Sequence, residues 1–189
     1  MGLWNTSLDG SAIHLAVEGS CGGTSLGVQL ARQAIEGGGR VLWAAPEFPD
    51  GVRFSQIFEG MELTASSRFH AMNLGGNLDQ SLASLKNSAK MLPGVNLVVL
   101  DDYCSDSGQL PSDIVKAVNK FIANSDWTTL LISKGGESMD SSPLIARGKN
   151  KLETDVIWLL TRPQSDSKRV LWVDGESVDL RLVEEGFIH

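Results

Sequence analysis

The sequence predicts a single α/β domain, built on a mostly parallel sheet with helices on both faces and an antiparallel edge at its C-terminal end. Three observations predict it. Short apolar runs of strand length alternate with helical periodicity from residue 12 to residue 133, the pattern that parallel strand–helix–strand units require. The last strand-like runs follow one another without helices, which places them at an antiparallel edge. The chain has 189 residues, 42% of them hydrophobic and 21% charged, the size and composition of one domain with its own core.

The elements follow in order. Residues 12–18 (AIHLAVE) are a buried strand running into the glycine-rich stretch 19–23. Residues 24–35 carry Leu26, Leu30, Ala31 and Ala34 at helical spacing, and Gly37, Gly38 and Gly39 stop that helix. Residues 40–45 (RVLWAA) form a second strand, with Pro46, Pro49 and Gly51 in the loop after it. A short helix over 52–59 and a third strand over 68–74 come next. The helix over 78–92 places Leu78, Leu82, Leu85, Ala89 and Leu92 on one face and ends at Pro93-Gly94. Residues 96–101 (NLVVLD) are the fourth and most apolar strand. A helix over 111–124 carries Ile114, Val115, Val118, Phe121 and Ile122, and a fifth strand covers 127–133. Residues 135–151 form a loop of a length that is usually functional. Strand-like runs over 155–161, 169–173 and 177–183 close the chain, the last two joined by the hairpin signal Asp174-Gly175. Trp43, Trp158 and Trp172 fall in strands, where core packing is their role.

The formal net charge is −7. A dedicated nucleic-acid binder carries a basic surplus, so any contact with DNA or RNA here belongs to a local patch. Two cysteines, Cys21 and Cys104, make no disulfide framework and read as reduced thiols. With His14, His70 and His189 they make no metal-binding spacing either. No signal-peptide core or membrane-length apolar run is present, so a soluble, cytoplasmic protein is expected.

The stretch between the first strand and the first helix has the makings of an anion site, because loop amides and a helix N-terminus surround a phosphate. The phosphate-loop pattern is G-x-x-x-x-G-K-[ST]; the chain reads Gly19-Ser20-Cys21-Gly22-Gly23-Thr24-Ser25. With Gly22 as the final glycine, Gly23 stands where the lysine belongs and Val17 where the first glycine belongs, unless Gly19 fills that place across a deletion, while Thr24 or Ser25 supplies the hydroxyl for Mg²⁺. The missing lysine removes the positive charge between the β- and γ-phosphates. A glycine turn needed only for strand-to-helix packing explains the same loop. Asp101 and Asp102 end the fourth strand, where a carboxylate meets Mg²⁺ or caps a turn. Glu47, just beyond the second strand, is either a solvated loop acid or a group that orients a water. In a parallel sheet the carboxyl ends of neighbouring strands face one crevice, so Glu47, Asp101 and the glycine-rich loop converge.

On these residues the chain resembles the RecA/RadA superfamily, archaeal RadB-like and other small recombinase paralogues in particular. EGSCGGTSLGVQLA resembles the Walker A loop and its helix, and NLVVLDDY the Walker B strand. GGRVLWAAPEFPDGVRFSQI resembles the second strand, with Glu47 in place of the catalytic glutamate and Arg53 in the helix after it. RFHAMNLGGNLDQSLASL resembles the third strand and its helix; LIARGKNKLETDVIWLLTR and VDLRLVEEGFIH resemble the strands that close the core.

The resemblance implies a RecA-like P-loop NTPase core that binds ATP and Mg²⁺ at subunit interfaces. It assigns Gly19, Ser20, Cys21, Gly22, Gly23, Thr24, Ser25 and Asp102 to the nucleotide, Thr24 and Asp101 to the metal, and Glu47 and Asp101 to catalysis. Lys134, at the tip of the fifth strand, is expected to replace the lost lysine in part, within its own subunit or across an interface. The two DNA-facing loops correspond to residues 104–110 and 135–151, the second offering Arg147, Lys149 and Lys151 to phosphates. The absent lysine and the short lead-in before the first strand depart from the family, weakening the case for ATP binding and for filaments. Three roles follow as expectations: an accessory recombinase paralogue in DNA repair, a slow ATPase, or a non-catalytic subunit of a RecA-like ring such as an Elongator-type accessory subcomplex. The expected partners are copies or paralogues of the chain and single-stranded DNA.

Overall fold

The computed structural model describes residues 2–139, 143–164 and 167–189; residues 140–142 of the expected long loop lie outside them. Strand β1 (Ala12–Val17) leads through α1 (Gly23–Glu36) to β2 (Arg40–Ala45), the short helices α2 (Gly51–Ile57) and α3 (Leu63–Ser66), and β3 (Phe69–Asn73). Then come α4 (Leu78–Met91), β4 (Val95–Asp101), α5 (Ser112–Ile122) and β5 (Thr128–Lys134). Strands β6 (Val156–Thr161), β7 (Lys168–Val173), β8 (Glu176–Val183) and β9 (Gly186–Ile188) complete the chain. Among the described residues nine strands share one sheet in the order β3-β2-β4-β5-β1-β6-β7-β8-β9.

Strands β1 to β6 are parallel, and the antiparallel edge is β7-β8-β9. The first of the three terminal runs therefore belongs to the parallel part, although no helix precedes it. Residues 143–155 of the connection do a crossover helix's work. Leu144 and Ala146 are buried against Ala16 of β1, with Ile157 and Leu159 of β6 packed alongside. At its end, Asp155 donates its backbone N–H to Ala12 O (2.8 Å) and accepts the Ala12 N–H on its carboxylate (2.7 Å), setting β6 parallel to β1.

Alternation along the strands feeds two cores. Leu15, Val17, Trp43, Val99 and Ile132 face α1, while Leu42, Ala44, Val98, Leu100 and Leu131 face α4 and α5. Each fully buried Leu, Val or Ile contributes about 1.5–3 kcal/mol. Helix α1 lies close on the sheet: a β-carbon on Gly27 would sit 2.8 Å from Ile132 Cδ1 and 2.9 Å from Trp43 Cη2. Trp43 and Trp158 are buried and Trp172 is half-buried. The β7–β8 turn puts Asp174 (φ 51°) and Gly175 (φ 84°) in the left-handed region, the geometry of a two-residue hairpin. Among the described residues no helix is long and apolar enough to cross a membrane.

Candidate functional site

A cleft of about 460 Å³ opens at the carboxyl ends of β1, β2, β4 and β5. It brings together most of the residues singled out in the sequence. Gly19, Ser20, Gly22, Gly23, Thr24 and Ser25 line one wall; Glu47, Asp101, Asp102 and Lys134 line the others. Cys21 is buried beside the loop instead of lining it, and burial first, then Glu18, push its thiol up to about 11. The loop turns through left-handed glycines, Gly19 at φ 35° and Gly22 at φ 99°. Gly22 caps α1, and its carbonyl accepts the Leu26 N–H (2.9 Å), so the amides of the first turn face the cleft end of the helix.

Thr24 Oγ1 donates to Asp101 Oδ2 (2.8 Å), which joins the loop to the end of β4. Burial raises the Asp101 carboxyl to about 6 against the lowering effect of that bond. Asp102 follows at φ 54°, in the left-handed region that Asp tolerates better than most residues; burial and then Asp106 raise its pKa. Lys134 is ion-paired with Asp106 across the cleft.

The sequence gives no site role to several further cleft residues. Phe48, 57% exposed, and Pro49 stand at the mouth. Asp50 caps α2 by accepting the Arg53 N–H (2.9 Å). Arg53 Nε donates to Ser25 Oγ (3.0 Å) and Nη1 to Glu184 O (2.8 Å), tying α2 to α1 and to the turn after β8. The PEFPD stretch after β2 carried the signal, because loops at strand carboxyl ends build such sites.

The residues fit Mg²⁺ and a nucleotide only in part. Thr24 and Asp101 are the donors a phosphate-bound Mg²⁺ takes from a protein. Among the described residues no group of three His, Cys, Asp or Glu side chains could hold a metal, so phosphates would have to complete its shell. The cradle for the phosphates lacks a cation at position 23. The cleft is lined by five carboxylates (Glu47, Asp50, Asp101, Asp102, Asp106) against Arg53 and Lys134, and both cations are already engaged.

The second expected loop differs from its sequence reading. Arg147 is not offered to solvent: it is 8% exposed. Its Nε donates to Gly108 O (2.9 Å), Nη2 to Ser107 O (3.0 Å) and Nη1 to Ser105 O. A guanidinium with five donors satisfies a turn's carbonyls as readily as phosphates, and here the 102–110 loop takes it. Lys149 and Lys151 are exposed, near α5 and away from the cleft lining.

Strand order, the glycine-rich turn and the β4 carboxylates define a RecA-like fold. Solved structures bear this out. The chain is similar to a crystal structure of the RadB recombinase, at 16% identity and a TM-score of 0.74 over 95% of this chain and 90% of that one. It is similar also to a DnaB-like replicative helicase, solved in a study of its interactions with primase, at 13% identity and a TM-score of 0.70 over 96% of this chain and 57% of that one. At such identities the likeness establishes the fold. No protein-family model matches the sequence, and no curated protein matches it.

Proposed function

We propose that the chain is a RecA-like recombinase paralogue, an accessory factor in DNA repair or recombination whose hold on ATP is weak or lost. One observation carries the reading: position 23 has no room for a side chain unless Val17 shifts, because a β-carbon there would lie 2.5 Å from Val17 Cγ2. The lysine is thus absent and its place is filled. Carboxylates dominate what remains of the cleft, which opposes a triphosphate unless Mg²⁺ accompanies it. The fold neighbours, a recombinase and a replicative helicase, support a role on DNA. The chain works with protein partners of its own kind, as a ring or paralogue subunit, and a mass measurement in solution separates a ring from a monomer.

Lys134 on the cleft wall favours a second reading, a slow ATPase in which Lys134 would supply a positive charge to the phosphates in exchange for Asp106, Asp101 would hold Mg²⁺ and Glu47 would orient a water. Titration with a fluorescent ATP analogue and Mg²⁺ distinguishes the two. The accessory reading expects binding no tighter than the high micromolar range and no change in Lys134→Ala. Tight binding, with turnover abolished by Lys134→Ala and by Glu47→Gln, would replace it with the ATPase reading.

A further inference from the structure

Six of the chain's eight lysines (Lys86, Lys90, Lys116, Lys120, Lys149 and Lys151) lie on α4, α5 and the turn after residue 147, in a protein of net charge −7. The carboxylates on the same segments are Asp79, Asp113 and Glu153. Asn119 of α5 joins the turn to the helix, donating to Lys151 O (2.9 Å) and accepting the Glu153 N–H (2.9 Å). Lys116 lies one turn before it, and Lys120 one turn after Lys116.

Between α4 and α5 runs a groove of about 200 Å³, with Leu82, Ala117 and Phe121 at its floor and Lys86, Lys90 and Lys120 on its walls. Lys86 Nζ donates to Lys120 O (2.9 Å) and Ala123 O (2.6 Å), fixing the two helices side by side. Burial lowers its pKa, and the charges of Lys90 and Lys120 lower it further. Asp79 answers this crowding in part, through its pair with Lys120 (3.3 Å). Folding gains nothing from placing like charges together, whereas an anionic partner would.

We propose that this lysine face binds single-stranded nucleic acid by its phosphodiester backbone. A polyanion suits a strip of point charges, because lysines neutralise successive phosphates and release their counterions. Protein interfaces are instead depleted of lysine and enriched in arginine and aromatic residues, and neither α4, α5 nor residues 148–153 contain an arginine, Arg147 before the turn being turned inward. A groove with cations on both walls tracks one strand. Binding would be independent of sequence, since Phe121 is buried and offers no base a stacking face. The site lies apart from the two DNA-facing loops of the family resemblance, except for Lys149 and Lys151. The inference rests on the reading of a factor acting on DNA, but the nucleotide titration and the binding assay below probe different surfaces and can fail separately.

The experiment measures anisotropy of a fluorescent oligothymidylate with the full chain. Micromolar affinity is expected at low salt, with log K falling against log salt at about −0.7 per phosphate contact between about 50 and 200 mM. Lys90→Glu/Lys116→Glu, at exposed positions, should weaken binding roughly tenfold and reduce that slope by about 1.4. Lys149→Glu/Lys151→Glu should act in the same direction. Lys168→Glu/Arg181→Glu, paired positions on β7 and β8 with the same change in net charge, should leave affinity unchanged. Circular dichroism confirms that each variant is folded. Absence of salt-dependent binding, an equal loss in the β7–β8 variant, tighter binding to duplex DNA or tighter binding to polyglutamate would each overturn the proposal.

Discussion

A β-carbon at Gly23 would meet Val17 Cγ2 at 2.5 Å and Ile132 Cγ2 at 3.3 Å, so the two departures from the phosphate-loop pattern, valine for the first glycine and glycine for the lysine, are one packing change. Gly23→Lys alone should destabilise the fold by about 1–3 kcal/mol through overpacking and leave ATP-analogue affinity low. With Val17→Ala the clash is relieved, and the double variant should bind the analogue more tightly than either single one; denaturation and titration in a double-mutant cycle read both couplings. Additive effects would sink the idea. Two buried titrating groups near the loop oppose each other. Asp101, held at about 6 by burial from an ordinary 3.8, favours the fold while protonated, a contribution complete below about 3.8 and lost as pH rises through 6. His14, lowered by burial from 6.5 to about 4, contributes above 6.5, and that is lost as pH falls through 4. Between pH 4 and 6 the two offset each other. Asp101→Asn should therefore make stability rise more steeply from pH 4 to 7 than in the wild type, by on the order of 2–3 kcal/mol, and His14→Gln should reverse the slope. Chemical denaturation across that range checks both, and matching slopes in all three proteins would refute the assignment.

Among the elements, the 135–155 connection shows best what local sequence conveys and what it does not. The strands read directly as short apolar runs, and the helices as periodic ones, because burial on one face imposes the period. That Asp101, Thr24 and Glu47 meet in one cleft was also legible, since their place in the motif order fixes their strand end. The direction of β6 was not legible, for a strand's composition does not record which way it runs. In the fold it goes with the burial of Leu144 and Ala146 against β1 and β6, two apolar residues in a polar loop. Arg147 was misread for a similar reason: an arginine that grips carbonyls has the same neighbours in sequence as one that grips phosphates. Its three acceptors at 105–108 bind the two loops together. Arg147→Met keeps the aliphatic stem and removes the donors, so it should cost about 2–3 kcal/mol. Amide exchange should quicken in residues 102–110 and stay as in the wild type on β2 and β3. Uniform quickening would mean the clasp is not local.

For the molecule as a whole, the antiparallel side of the sheet is closed by the chain's own N-terminal segment. Leu3 bridges to Ile188, and the Trp4 N–H reaches Phe187 O (2.8 Å). Trp4 is buried edge-on against Trp158, with ring centroids 5.7 Å apart. Buried Gln29 of α1 holds the arrangement, donating to Trp4 O (2.6 Å) and Phe187 O (3.0 Å) and accepting the Phe187 N–H (2.6 Å). The same amide needs a bare backbone at Gly186, where φ is +132° and a β-carbon would lie 2.3 Å from Gln29 Oε1. One side chain of the helix that carries the phosphate loop thus fastens the far edge of the sheet. Gln29→Leu keeps the bulk but leaves Trp4 O and the Phe187 N–H without the Gln29 amide, while Phe187 O keeps the Trp4 N–H, at a cost of about 2–4 kcal/mol, or roughly 2–4 °C of Tm per kcal/mol for a domain this size. Deleting residues 2–7 goes further, because β9 then presents a row of unpaired N–H and C=O groups, the usual template for edge-to-edge pairing. That variant should self-associate as concentration rises in sedimentation velocity, while Gln29→Leu, with the segment still covalently present, should lose stability before it self-associates. A deletion variant that stays at its starting mass would show that β8 and β9 protect the edge without help from Leu3 and Trp4.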